Sequence, residues 1–256
     1  MKKAIIGGTG VYGMPGSSRQ QTIQTPFGNV EVDIVTVSGE EIVFLARHGK
    51  NHSVPPHLIN YRANIKALAQ LGISHIFATA AVGSCNDHFF PGDLVMITDF
   101  LDFTKTRQVT YFDGCDEPVG HVDMTDPYCP CLRRRCYAAA DEEGVSLKGD
   151  AVYVCTEGPR FESAAEIRMF KQLGGDVVGM TNIPEIALAR ELGMCYAALG
   201  MVTNWCTGMK QEQIALHDIQ AALGDNRSTL TRLFLKVFQQ KLSQDHCTCR
   251  HSVIKL

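Results

Sequence analysis

Three apolar, strand-like runs, Ala151–Cys155, Asp176–Gly179 and Cys195–Val202, sit in or just before the stretch Thr156–Met209. Each is followed at once by a polar segment: Thr156–Glu162, Met180–Asn182 and Thr203–Cys206. Helix-period patterns lie between them. Strand, polar loop and helix in repetition specify a mostly parallel α/β sheet, and such a sheet presents ligands at the carboxyl ends of its strands. This stretch constrains the fold more than any other part of the chain.

The rest of the sequence extends that reading. Lys2–Ile6 is a short strand. Val30–Val37 and Glu41–Ala46 are strands joined by a turn at Ser38-Gly39. His57–Leu71 has the period of an amphipathic helix closed by Gly72. Ser74–Ala80 and Leu94–Thr98 are further strands, and Leu132–Glu143 is a helix. Helical patterns follow at Glu212–Leu223 and Ser228–Ser243, with Asp225 or Asn226 as a cap for the second. Phe100–Pro130 shows no sustained period, and a loop that long is usually functional or an interface. No internal repeat or linker divides the 256 residues. The expectation is one α/β domain over 1–256, with a loose polar tail carrying Cys and His at 244–256.

Composition narrows the function. The net charge is −3 with scattered Lys and Arg, so neither a nucleic-acid surface nor a membrane surface is expected. No apolar run reaches the length of a transmembrane helix, and the apolar run after Lys2-Lys3 is too short for a signal peptide. A cytoplasmic location is therefore expected. Among the ten cysteines are two CxC pairs, Cys129–Cys131 and Cys247–Cys249. That spacing is too tight to signal zinc, so no metal is expected. Free thiols are the plain reading, with structural disulfides of the kind found in hyperthermophile proteins as the alternative.

The glycines after the first strand could mislead. Gly8-x-Gly10-x-x-Gly13, with Glu31 or Asp33 about twenty residues on, matches the dinucleotide fingerprint. That motif must open a helix, and Met14–Asn29 carries two prolines and no helical period. The loop suits an anion nest, not a Rossmann turn.

Six polar segments follow predicted strands: Gly7–Gly10, Arg47–His52, Ala80–Ser84, Thr156–Glu162, Met180–Asn182 and Thr203–Cys206. In a mostly parallel sheet they share one edge. The first three supply backbone N–H groups, a guanidinium, imidazoles and hydroxyls, which suit inorganic phosphate. The last three supply Glu162, Thr181 and Asn204, which suit a heterocycle and a sugar. Taken singly, Arg47 and His48 read equally as a surface pair, Glu162 as an acid complementing a helix dipole, and Asn204 as a turn residue. The agreement of six loops favours a site. No serine nucleophile elbow is present.

The motifs IIGGTG, LARHG, INYRANIKAL, GPRFES, VVGMTNIPE and the run ending VTN resemble those of the trimeric nucleoside phosphorylases, in matching order to about residue 235. That family includes purine nucleoside phosphorylases and 5′-methylthioadenosine phosphorylases. The resemblance implies a central mixed β-sheet, partly barrel-like and flanked by helices, in a homotrimer. It implies phosphorolysis of a nucleoside to a free base and a sugar 1-phosphate, with phosphate as co-substrate and no cofactor. By the same match, Thr9, Arg47, His48, the Ala80-Ala81 backbone and Thr181 hold phosphate. Met180 lies against the ribose, Asn204 and Glu162 hold the base, and His121 reaches into a neighbouring subunit's site.

The resemblance also bears on the purine. Methylthioadenosine phosphorylases carry serine after GPRF and two aspartates where this chain has Asn204 and Cys206; here Glu162 replaces the serine. An asparagine amide donates to a 6-oxo group and N7, and Glu162 accepts from N1–H, which hypoxanthine and guanine carry and adenine lacks. A 6-oxopurine preference follows, covering 5′-methylthioinosine, inosine and guanosine. At the sugar's 5′ end the alignment places Leu216, which favours a methylthio group; a shift of one residue would place His217, which favours a hydroxyl. A methylthioadenosine phosphorylase is the alternative. A phosphate-independent nucleosidase or a non-catalytic nucleoside-binding protein is a further one.

Overall fold

Ile73–Ser84 (β5) and Cys195–Trp205 (β10) are mostly apolar and are buried along most of their length. Strands of that kind have a covered layer on both faces, and these two run parallel at the centre of the molecule. The computed structural model describes residues 2–9, 11, 16–37, 39–50, 53–114, 119–211 and 216–255, and excludes the side chains of residues 216, 218, 220, 225 and 227. Gly10, Gly13, Ser38, Asn51, His52 and residues 212–215, all invoked above, lie outside the described residues, as does the Leu216 side chain.

Three further strands join this pair to close a ring of five. Leu94–Phe103 (β6) runs antiparallel to β10 and parallel to Leu147–Thr156 (β8), which continues to Val177–Gly179 (β9) and back to β5. The edge of β5 opposite β10 carries, before β9 joins it at Gly83, Lys2–Gly7 (β1), and beyond β1 lie Glu40–Ala46 (β4), Gly28–Val37 (β3) and Ser17–Thr25 (β2). The sheet is thus mixed and partly barrel-like, as expected.

Alternation along the strands makes two cores. Ala4, Ile6, Ile76 and Ala78 pack with helices Tyr61–Gln70 (α1) and Asn182–Glu191 (α4). Ile5, Phe44 and Phe77 point the other way, against Pro130–Glu142 (α2) and Leu216–Gln239 (α5). There Phe77 stacks on Phe234 with ring centroids 4.9 Å apart.

Several expectations are corrected. β2 is polar and mostly exposed, which is why no apolar pattern announced it; it is held by backbone pairing to β3. Helix α1 starts at Tyr61, not His57, because Asn60 accepts a cap bond from the Ala63 N–H at 3.1 Å. The two C-terminal helical patterns are one continuous helix, α5. Asn226 is inside it and caps nothing; its amide donates to the Gly92 and Ala222 carbonyls at 3.1 Å each. Part of the long loop is strand, since β6 extends to Phe103 and Gly120–Val122 (β7) pairs with Val253–Lys255 (β11). The tail is not loose: Gln244, Cys249 and Ser252 are buried. Among the described residues no helix is long and apolar enough to cross a membrane.

Candidate active site

The ends of β1, β4, β5, β8, β9 and β10 surround one cavity of about 260 Å³, close to the lower bound of small-ligand pockets, roughly 300 Å³. Thr9, Arg47, His48, Ala80, Ala81, Glu162, Met180, Thr181 and Asn204 all line it. The structure therefore brings together nine residues from six separate segments of sequence.

Arg47 and His48 are buried, 2% and 5% exposed, which removes the surface-pair reading. Arg47 donates from Nε and Nη2 to the two Glu185 carboxylate oxygens at 2.7 and 2.6 Å, and from Nη1 to the Thr79 carbonyl at 2.7 Å. Burial opposes the guanidinium charge, but the charge and hydrogen bonds of Glu185 outweigh it, so its pKa is raised above the ordinary arginine value. The Tyr196 hydroxyl donates to the same carboxylate at 2.6 Å. His48 Nδ1 donates to the Val54 carbonyl at 2.9 Å, which fixes the ring's orientation.

Ala80 and Ala81 lie within β5, not in a loop after it. One edge of β5 is nevertheless open here. β1 pairs with it only as far as Ala78, and β9 begins at Gly83. The Thr79 carbonyl faces Arg47 across this gap, and the alternation of a strand turns the Ala81 N–H to the same side. Gly8 closes the floor, its N–H donating to Thr79 Oγ1 at 2.8 Å.

Asn204 is likewise within a strand. The register of β10 against β5 slips between Val202 and Asn204, leaving Thr203 as an extra residue. Such a bulge re-aims the side chains that follow it. The Asn204 amide is pinned, Oδ1 lying 2.8 Å from Thr203 Oγ1 and Nδ2 donating to the Trp205 carbonyl at 2.8 Å. A Cβ at Gly83 would come within 3.2 Å of Asn204 Nδ2 and 2.8 Å of Cys206 Sγ, so glycine leaves the space both occupy.

Glu162 is 8% exposed, and Thr156 Oγ1 donates to its Oε1 at 2.6 Å. It precedes Ala164–Gln172 (α3), whose first turn is closed by a capping box between Ser163 and Glu166. Gly158 has φ +68°, and a Cβ there would lie 2.6 Å from Met180 Sδ; the glycine lets the loop close over that methionine. The Thr181 N–H donates to the Tyr153 hydroxyl at 3.0 Å.

His121 does not line this cavity; it sits exposed on β7, opposite Ile254 of β11. Helix α5 contributes Ile219 to the wall, while His217 is exposed. The sequence reading missed Glu185, Tyr196 and Arg107. Glu185 left a signal: it is a lone acid in the apolar run Ile183–Ala189, on a helix buried on nearly every side. Arg107, from the long loop, donates to the Ile183 carbonyl and to those of Thr156 and Glu157 at 3.1 and 2.8 Å, clamping two site loops together. Among the described residues no metal-ligand group lines the cavity.

Comparison with known proteins gives the geometry a context. The model of the Phosphorylase superfamily matches residues 2–239. A 6-oxopurine nucleoside phosphorylase from Pyrococcus furiosus is 46% identical, over 98% of this chain and 97% of its own. A Methanopyrus kandleri protein named "Probable S-methyl-5'-thioinosine phosphorylase" is 45% identical, over 97% and 96%. The crystal structure of a methylthioadenosine phosphorylase from an antarctic soil metagenomic library superposes with a TM-score of 0.87 at 33% identity, covering 98% of this chain and 90% of that one.

Proposed function

This chain belongs to the Phosphorylase superfamily, among its nucleoside phosphorylases, and we propose that it phosphorolyses 6-oxopurine nucleosides, with 5′-methylthioinosine favoured over inosine and guanosine. The observation that carries this is the sharing of one cavity by a buried guanidinium, Arg47, and two polar groups suited to a 6-oxopurine edge, Glu162 and Asn204. The relatives named for 6-oxopurine and methylthioinosine substrates support it.

The chemistry follows from what must be stabilised. The C–N glycosidic bond stretches until the ribosyl group resembles an oxocarbenium ion, and electrons flow into the departing purine. Phosphate is the nucleophile, so the protein needs neither a covalent nucleophile nor a cofactor. It must hold phosphate beneath the sugar and accept the charge that develops on the base. Arg47, His48, Thr9, Thr181 and the Ala80-Ala81 backbone perform the first task. Met180 backs the ribose. Asn204 donates its remaining amide hydrogen to the O6/N7 edge and Glu162 accepts from N1–H, which performs the second. The apolar Ile219 on the α5 wall suits a methylthio group better than a hydroxyl.

We read the enzyme as a homotrimer acting in cytoplasmic purine salvage. His121 is exposed and outside its own cavity, which suits a residue that completes a neighbour's. The test is base release with and without phosphate. Release that depends on phosphate, with (5-methylthio)ribose 1-phosphate as the second product, is expected; equal release without it would make the protein a nucleosidase and remove the anion site.

A further inference from the structure

Four cysteines that the cavity does not use meet elsewhere in the fold. The sulfurs of Cys129, Cys195, Cys247 and Cys249 all lie within 4.8 Å of one another, and all four are free thiols. Cys195 and Cys247 sulfurs are 3.4 Å apart. Four sulfurs bound tetrahedrally to one zinc ion at about 2.3 Å stand about 3.8 Å from each other, which is the spacing this cluster approaches. The close spacing of CxC pairs argued against zinc when read alone. The fold answers that objection, because the set draws on three elements: Cys129 caps α2, Cys195 begins β10, and only Cys247 and Cys249 come from one pair. Cys131, the other half of the first pair, is not one of the four and donates to the His246 carbonyl at 2.9 Å.

We propose that these four cysteines bind one structural zinc ion, which fastens the C-terminal tail to the sheet. On binding, four Zn–S bonds form and four thiol protons leave to solvent. The resulting centre carries two negative charges. A buried cation awaits them: Arg190 is 1% exposed, and its Nε and Nη1 have no hydrogen-bond partner among the described residues. Its carbonyl and that of Cys249 lie 3.0 Å from Ser252 Oγ, so the guanidinium's own residue is tied to the cluster. The Gln244 amide lies 3.7 Å from the Cys195 sulfur, a donor of the kind that supports a bound thiolate. None of the four lines the active-site cavity, so the role is structural. Beyond Cys249 the chain enters β11 at Val253, and that strand pairs with the one carrying His121.

The full chain purified from zinc-supplemented cells tests this by metal analysis and thiol counting in denaturant. About one zinc per chain is expected, with four thiols that become reactive only after chelation and a lowered Tm for the stripped protein. Cys129→Ser and Cys249→Ser should lose the metal, while Cys136→Ser, on α2 outside the cluster, keeps it. Should the ligand variants not fold, cobalt(II) added to stripped wild type should give the intense visible bands of a tetrahedral thiolate site. Metal-free wild type that takes up no cobalt, whether its four thiols are reactive or its mass shows two disulfides, would overturn the proposal.

Discussion

Arg47 and Glu185, 138 residues apart in the chain, meet in a two-bond ion pair from which solvent is excluded on both sides. The pair does more than neutralise charge. It fixes the guanidinium plane at the cavity wall, while Tyr196 fixes the carboxylate. Removing one partner of such a pair costs about 3–5 kcal/mol, because the other charge stays buried alone. Glu185→Gln should therefore lower Tm by roughly 6–20 °C and raise KM for phosphate, with the KM for nucleoside changed least. Calorimetry and steady-state kinetics at varied phosphate read both effects. An unchanged phosphate KM would separate Arg47 from phosphate binding.

Glu162 sits on the base side, held by Thr156. Glu162→Gln keeps its size but replaces an acceptor with an amide that can present a donor to N1–H. One mismatched buried contact costs about 1–3 kcal/mol, so kcat/KM for inosine should fall roughly 5- to 150-fold. The same ratio measured for adenosine should fall less.

Gly83 leaves room for Asn204 and Cys206. Gly83→Ala should push the Cys206 sulfur aside and shift the Asn204 amide by a few tenths of an ångström. The expected outcome is a loss in kcat with Tm nearly retained, read by comparing turnover with thermal unfolding. A loss of Tm with kcat intact would place the clash in the core instead.

The capping box that starts α3 fixes where the chain enters the helix, immediately after Glu162. Hydrogen bonds from Arg160 and the Ser163 backbone hold the Glu166 carboxyl down at about 2, against an ordinary value of 4.5. A depressed carboxyl pKa contributes stability that is fully present above the unfolded value and is lost as pH falls through the folded one. Glu166→Gln should thus be less stable than wild type at neutral pH, by up to about 1 kcal/mol for an exposed cap. The difference should shrink between pH 4.5 and about 2, in denaturant titrations across that range.

Much of the site was legible because its residues follow apolar runs. Arg47, Thr181 and Glu162 come directly after strand patterns, so pattern alone assigned them to one sheet edge. What escaped reading depended on pairing across the chain. Nothing local to Thr203 marks the bulge that turns Asn204, since a bulge is defined against the partner strand. Glu185 is an ordinary acid until Arg47 arrives from β4's end. The break expected in α5 rests on the gap between two helical patterns and on Asp225 or Asn226 as a cap; burial of Leu223, Leu230 and Phe234 against the sheet carries the helix through that gap. β2 stayed hidden because an edge strand held by backbone bonds needs no apolar face.

The base preference is the central claim, and one substrate panel tests it: kcat/KM at saturating phosphate for 5′-methylthioinosine, inosine and guanosine against 5′-methylthioadenosine and adenosine. Two matched contacts, at Glu162 and Asn204, predict that each 6-oxopurine nucleoside exceeds its 6-amino counterpart by at least about tenfold. Asn204→Asp should narrow that gap by improving the adenine nucleosides. Fast turnover of the adenine nucleosides alone by the wild-type enzyme would contradict the account.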